Sequence, residues 1–409
     1  MPDTKTEKYN ILLENVANQL DIPPKEYQQA VDRYTSVGEW LCDGEYDGCI
    51  DDPDVYPQGS FNLGTVVRPI INGAEADYDI DLVFELKKNH YQTSPKEIKN
   101  LAGDRLKSHG RYKSMLKNEG RRCWTLQYSE EDGVGFHLDI LPSIPRESPP
   151  QSISITHRKG SGSYNWSSSN PRGYAQWFKQ QNQVAFHEAE LQQKRMLFDN
   201  NSEIFSSIDE VPSQLVKTPL QRVIQILKRH RDLRFSKHHS KDAKPISMII
   251  TTLAAHLYEN ESTTYEALKN IVALLDAHAN LLNPGFVLEH SLASRGLISR
   301  SADGKWLIPN PVDPEENFAD RWHENDHERA KAFFQWVSWV RADLVDIIHS
   351  HDIDKIYESV QPVLGESNVK RAAENLPFIA APAIITASDD YPAVEINDPA
   401  KPWSKKDLY

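Results

Sequence analysis

Two stretches of strict alternation constrain this chain more than anything else in it. Residues 77–82 read Asp-Tyr-Asp-Ile-Asp-Leu, and residues 134–141 read Val-Gly-Phe-His-Leu-Asp-Ile-Leu. A period of two fits a pleated strand, whose successive side chains point to opposite faces. In the first stretch Asp77, Asp79 and Asp81 share a face, with Tyr78, Ile80 and Leu82 behind them. In the second, Val134, Phe136, Leu138 and Ile140 share a face, and His137 and Asp139 take the other. Each strand therefore predicts one apolar face for a core and one acidic face left open, as in a sheet that carries a site. Acids set beside core residues are costly unless something binds them.

Asp79, Asp81 and Asp139 are thus the candidate metal ligands and catalytic residues. Mg²⁺ prefers oxygen ligands and usually shares them with substrate phosphates. Two such ions, about 4 Å apart, stabilise both the attacking and the leaving oxygen of an in-line displacement. Asp139 would also lower the pKa of, or take the proton from, an attacking ribose hydroxyl. Asp77 lies at the start of its strand, where a free carboxylate costs little, and is given no role; a lone histidine such as His137 is more often a packing residue. Upstream, Gly59-Ser60 stands in Gln-Gly-Ser-Phe-Asn-Leu-Gly-Thr. Glycine admits backbone close to a phosphate, and the serine hydroxyl donates to a phosphate oxygen. Together these residues predict metal-dependent nucleotidyl transfer.

The rest of the chain frames that reading. Its 409 residues exceed the usual span of one domain, so two lobes are expected. A net charge of −13 argues against a surface coated for nonspecific nucleic-acid binding. Three cysteines, Cys42, Cys49 and Cys123, give no disulfide framework and no zinc ribbon, which suits a reduced, cytoplasmic protein. No signal peptide and no apolar run of membrane-spanning length is found, so no membrane partner is expected. Helical spacing predicts helices over 8–21, from Pro24 through Trp40, and over 171–198, 218–235, 245–258, 263–278 and 325–349. Residues 43–54 and the Ser/Gly/Pro-rich 146–169 read as loops, and 61–67 as a strand.

Between 228 and 244 stand seven cations: Lys228, Arg229, Arg231, Arg234, Lys237, Lys241 and Lys244. A local basic excess in an acidic chain suggests phosphate binding. Lys228 sits one turn after Ile224, at the edge of an apolar face, where packing can aim it into a cleft. Pro245-Ile246-Ser247 then opens an apolar helix, whose free N–H groups and Ser247 hydroxyl suit an anion.

Taken in order, YPQGSFNLGTVVRP, ADYDIDLVFEL, FHLDILPSIP, SNPRGYAQWF, LKRHRDLRF, KPISMIITTLAAHLY and NPVDPEENFADRW resemble the DNA polymerase beta superfamily of nucleotidyltransferases. The set is more similar still to the bacterial cGAS/DncV-like nucleotidyltransferases, the CD-NTases of CBASS anti-phage systems. The resemblance implies an α/β (α+β) bilobed fold with a mixed sheet and a helical C-terminal lobe. The catalytic lobe with its N-terminal helices would span 1–165, the helical lobe completing the cleft 166–375, and an extended tail 376–409. It implies two Mg²⁺ ions, or Mn²⁺, on Asp79, Asp81 and Asp139; donor triphosphate contacts from Gly59 and Ser60; and a second-lobe pair, Lys228 and Ser247, on the triphosphate. The implied substrates are NTPs (ATP, GTP or UTP), joined with pyrophosphate release into a cyclic di- or trinucleotide second messenger that reaches an effector by diffusion. A linear oligoadenylate or RNA-tailing enzyme and a non-catalytic nucleotide sensor are the alternatives. No zinc-ligand insertion supports a nucleic-acid activator. The tail, conjugated or bound by partners in some relatives, ends Lys-Lys-Asp-Leu-Tyr here, without a terminal glycine.

Overall fold

The two alternating strands lie side by side. In the computed structural model, which describes residues 4–71, 74–131, 134–283, 286, 296–301, 303–374 and 376–379, β4 (Tyr78–Glu85) and β6 (Val134–Pro145) pair in parallel. A parallel pair needs a crossover. Here it is made by α4 (Pro95–Ser108), α5 (Gly110–Met115) and β5 (Trp124–Glu131), the last pairing antiparallel with β6. α4 has a capped start: the Ser94 side chain accepts from the Glu97 N–H and Pro95 holds the first turn. Ile98, Ala102 and Leu106 recur at helical spacing and are buried.

The sheet runs β1-β4-β6-β7-β8, with β5 attached to β6. β1 is Asp54–Gln58, β7 Ile153–Arg158 and β8 Tyr164–Ser169. β7 and β8 occupy the stretch that composition marks as a loop. Ser-Ile-Ser-Ile-Thr at 152–156 alternates like a strand, and it is buried on both faces, with Ile153, Ser154, Ile155 and Thr156 all inside. Serine content concealed it.

Residues 61–67 do not form the expected strand. Gly59–Asn62 is a short helix, α3, and the segment after it is irregular. Its carbonyls find partners on a helix instead of a sheet. In α8 (Pro219–Ser236) the side chains of Gln221, Gln225 and Lys228, at i, i+4 and i+7, donate to the carbonyls of Leu63, Val66 and Thr65. Buried carbonyls need such partners, and one stripe of α8 supplies them.

α8 is the central helix of the second lobe, opened by a Thr218/Gln221 capping box and Pro219. Around it pack α9 (Ser247–Leu257), α10 (Thr264–Ala277) and a helix over Glu328–Val340. The expected helix 171–198 is two, α6 (Pro171–Gln181) and α7 (Gln183–Asn200), separated at Asn182. The helical core also takes Tyr9, Leu12, Leu13, Val16 and Ala17 from α1 (Lys5–Asn18), whereas α2 (Pro24–Cys42) packs on the sheet. Phe205, Val211 and Leu215 join the sheet-side core. The packing units thus interleave along the chain, while the sequence reading assigned all of 1–165 to one lobe. The turn at Asn72-Gly73 and the tail from 380 lie outside the described residues.

Candidate active site

Strand register builds the acidic centre. Asp81 on β4 stands opposite Asp139 on β6, and Asp79 opposite His137. β1 runs antiparallel along the other edge of β4, with Gln58 opposite Asp81, and the chain then turns into Gly59. Gly59 has φ +65°, and a Cβ placed there would stand 2.5 Å from Asp81 Oδ2. Glycine is therefore required twice over, for the left-handed backbone and for the carboxyl that lies against it.

Gly59, Asp81 and Asp139 line one cavity of about 310 Å³ between sheet and helices. Asp79, two residues before Asp81 on the same strand, is not among the residues that line it; its side chain is 61 % exposed, and Oδ1 is 3.4 Å from His137 Nδ1. His137 Nε2 also stands 3.5 Å from Asp77 Oδ2. Asp139 is positioned by two donors, the Thr125 hydroxyl on Oδ1 and the Cys123 thiol, 3.3 Å from Oδ2. Burial, and then Asp139, push that thiol up to about 12, so it stays protonated and able to donate.

Three carboxyls this close disturb one another. Burial, then the charges of Asp139 and Asp79, push the Asp81 carboxyl up to about 7, with Lys228 working against them. The Asp79 carboxyl is raised as well, by the protein around it, while His137 lowers it and Asp139 raises it. Among the described residues no group of three His, Cys, Asp or Glu side chains is placed to hold a metal ion. The donor set nevertheless fits a hard divalent cation: Asp81 and Asp139 offer carboxylate oxygens in register, and a cation offsets both the burial that chiefly raises Asp81 and the repulsion from its neighbours.

Ser60 follows Gly59 in α3, and its carbonyl accepts from the Thr65 N–H at 2.9 Å. Ser60, Lys228 and Ser247 do not line the cavity. The Lys228 ammonium donates to the Thr65 carbonyl (2.9 Å) and hydroxyl (3.1 Å), and burial lowers it to about 7. Ser247 opens α9 and accepts from Arg231 Nη1 at 3.0 Å; its neighbour Met248 reaches the cavity wall. The basic run is largely internal wiring: Arg229 pairs with Glu75 (2.7 Å), Arg234 with Asp343, and Arg231 and Lys244 with Asp232.

The cavity also takes Arg122, Tyr174, Met248, Asn310 and Glu316, to which sequence reasoning gave no role. The signals were present in SNPRGYAQWF and NPVDPEENFADRW, as polar residues at the turns flanking apolar runs. A larger cavity of about 800 Å³, lined by Asp21, Glu188, Met196, Lys217 and Glu261 among others, holds none of the three aspartates.

Residues 53–142, which span β1, β4 and most of β6, match the family described as "Cyclic GMP-AMP synthase DncV-like, nucleotidyltransferase domain". The chain is 27 % identical over 364 residues to a protein of Roseivirga ehrenbergii named c-di-GMP synthase, covering 88 % of this chain and 85 % of that one. It is 24 % identical over 335 residues to the cyclic dinucleotide synthase CdnG of Bradyrhizobium diazoefficiens, covering 79 % and 72 %. The fold matches the solved structure of B. diazoefficiens CD-NTase CdnG in complex with GTP, with a TM-score of 0.64 at 21 % identity over 89 % of this chain and 98 % of that one. The mixed sheet and helical lobe of this chain thus have the CD-NTase fold. Among its described residues no helix is long and apolar enough to cross a membrane.

Proposed function

We propose that this chain joins nucleoside triphosphates into a cyclic oligonucleotide, by two nucleotidyl transfers for a dinucleotide or three for a trinucleotide, each releasing pyrophosphate. The observation that carries the reading is the register of Asp81 against Asp139, with Gly59 pressed on Asp81, at the floor of a cleft between sheet and helices. Asp79, Asp81 and Asp139 would hold two Mg²⁺ ions, or Mn²⁺, which when bound neutralise charge on the reacting phosphoryl group. The residues around them do the rest. Gly59 lets phosphate approach backbone, and the Ser60 hydroxyl donates to it. Thr125 and Cys123 hold the Asp139 carboxylate toward the cleft, where it accepts the proton of the attacking ribose hydroxyl. Lys228, committed to the Thr65 turn, acts on the site by its charge on Asp81. Ser247 orients Arg231 at the start of α9. The product would act in the cytoplasm as a diffusible signal to an effector, in anti-phage defence of the CBASS kind. The names of the two relatives favour a ring of two nucleotides.

The test is incubation with each labelled NTP and with all four, plus Mg²⁺ or Mn²⁺, followed by phosphatase and mass analysis. A phosphatase-resistant product that disappears in a folded Asp79→Ala/Asp81→Ala variant is expected. A product that phosphatase shortens indicates linear addition, and nucleotide binding without product indicates a sensor. Either outcome overturns the proposal.

A further inference from the structure

We propose that Glu316, steadied by Asn310, reads the base of a nucleotide in the cleft and selects guanine. This rests on the reading of the cleft as a nucleoside triphosphate site. The lining of the cleft joins two kinds of residue: Gly59, Asp81 and Asp139, and a second group of Tyr174, Met248, Asn310 and Glu316. A nucleotide whose phosphates gather on the first group carries its base against another part of the same lining. The second group has the make-up of a base pocket: apolar surface for a ring face, plus a few placed polar groups. Tyr174 is fixed there by a 2.8 Å hydrogen bond between its hydroxyl and that of Thr252.

Glu316 is held rather than free. It lies on a hairpin in which Pro309–Asn310 pairs with Asp313–Asn317. The Asn310 amide donates to Glu316 Oε2 at 2.8 Å, and its own oxygen accepts from the Val312 N–H at 3.0 Å, which closes the turn. The hairpin is fastened to the sheet. Buried Asp313 accepts from the Ser168 hydroxyl on β8 and stands 3.7 Å from Arg146, whose other nitrogen reaches Glu315 at 2.6 Å. Among the described residues no hydrogen bond reaches Glu316 Oε1. Burial raises this carboxyl above the ordinary range, the Asn310 bond and the charge of Arg122 oppose that, and paired donors from a ligand would favour the charged form further.

Guanine is the base that suits such a group. Its Watson–Crick edge sets two donors, N1–H and N2–H, side by side, and a carboxylate accepts both. Adenine and cytosine place a ring acceptor beside their amino group. Uracil places one N–H between two carbonyls. Each of these aims a lone pair at the carboxylate, which is how a polar site rejects the wrong ligand. Oε2 retains acceptor capacity beyond its Asn310 bond, since each carboxylate oxygen has two lone pairs.

The experiment is equilibrium binding of the α,β-methylene analogues of GTP, ATP and ITP to the full chain, with no turnover needed. Wild type should hold the GTP analogue at least about tenfold more tightly than the ATP analogue, the scale of one good bidentate contact. It should also prefer GTP over ITP about tenfold, because ITP lacks the N2 amino group. Glu316→Gln keeps the shape but turns one acceptor into a donor. It should lose the preference or shift it toward adenine, whose edge a carboxamide matches, with an unchanged melting temperature. Equal wild-type affinity for the three analogues, or a GTP preference that survives in folded Glu316→Gln, overturns the proposal. If Glu316→Gln does not fold, the GTP-against-ITP comparison on wild type decides alone. A wild type that prefers the GTP analogue yet makes no product from NTPs refutes the synthase reading and supports this one.

Discussion

Gly59→Ala separates the two demands that the site places on one residue. The backbone there has φ +65°, and an added methyl stands 2.5 Å from Asp81 Oδ2. An ordinary contact needs roughly 3.5 Å, so the carboxyl has to withdraw by about 1 Å. That atom is the end of a side chain, so it yields by rotation at little cost to the fold. The stability loss should therefore be close to the left-handed backbone penalty alone, roughly 1–2 kcal/mol. Turnover should suffer much more, because a displacement of about 1 Å in a catalytic group costs about a hundredfold. Gly162 provides the control. It has φ +84° with nothing within 4 Å, so Gly162→Ala carries the strain without the collision. Melting by differential scanning fluorimetry and initial rates from labelled NTPs, on both variants, make the assay. Similar losses of stability with activity lost only in Gly59→Ala are expected. Wild-type turnover in Gly59→Ala, or equal loss of turnover in both variants, would refute the reasoning.

Three further predictions follow from the same geometry. Asp139→Asn should cut turnover by at least about a hundredfold while circular dichroism stays unchanged, because Thr125 and Cys123 pack around a side chain of the same shape. Buried Lys217 donates to the carbonyls of Gly64 (2.7 Å) and Gln214 (2.6 Å), and burial lowers it to about 8. Between about pH 8 and pH 10 the unfolded chain holds a proton that folded Lys217 has lost, so this lysine's contribution to stability rises with pH, by at most roughly 3 kcal/mol. Urea melts of wild type and Lys217→Met should diverge across that range and run parallel below it; a constant gap throughout would count against the assignment. Asp343 accepts from Arg234 and from His230 Nε2 (2.9 Å), and the Trp336 N–H donates to His230 Nδ1 (3.1 Å). Asp343→Ala strands both donors and should cost roughly 3 kcal/mol in urea, a loss that an unshifted midpoint would disprove.

The acidic strands were legible because their chemistry and their periodicity agree. Alternation placed Asp79, Asp81 and Asp139 on one face, and register on paired strands needed only that these neighbours meet. Elsewhere local and tertiary demands part company. Phe61 to Val67 has strand-like residues, but glycines at 59 and 64, both with φ +65°, bend it, and its carbonyls belong to α8, some 160 residues away. Ser152 to Thr156 has loop-like residues, but the ladder to β6 and β8 makes it a strand. The cations after Ile224 look available from sequence. In space Lys228, Arg229 and Arg231 are buried and spent on partners at Thr65, Glu75 and Asp232, which no local pattern specifies. Asn310 and Glu316 were hidden for a related reason, since a hairpin from the second lobe reveals its direction only after it is fastened to β8.

The first helix has its partners at the far end of the chain. Tyr9 donates to the carbonyl of Leu344 at 2.8 Å, Asn15 to that of Ala372 at 3.2 Å, and Lys5 to that of His351 at 3.1 Å. During synthesis this helix must therefore wait, with Leu12, Leu13 and Val16 uncovered, until the residues around 344–372 have been made. A shortened polypeptide that begins at residue 1 and stops after the sheet would carry a greasy helix with nothing to sit on, so dissection of the protein should start downstream of it, near Pro23.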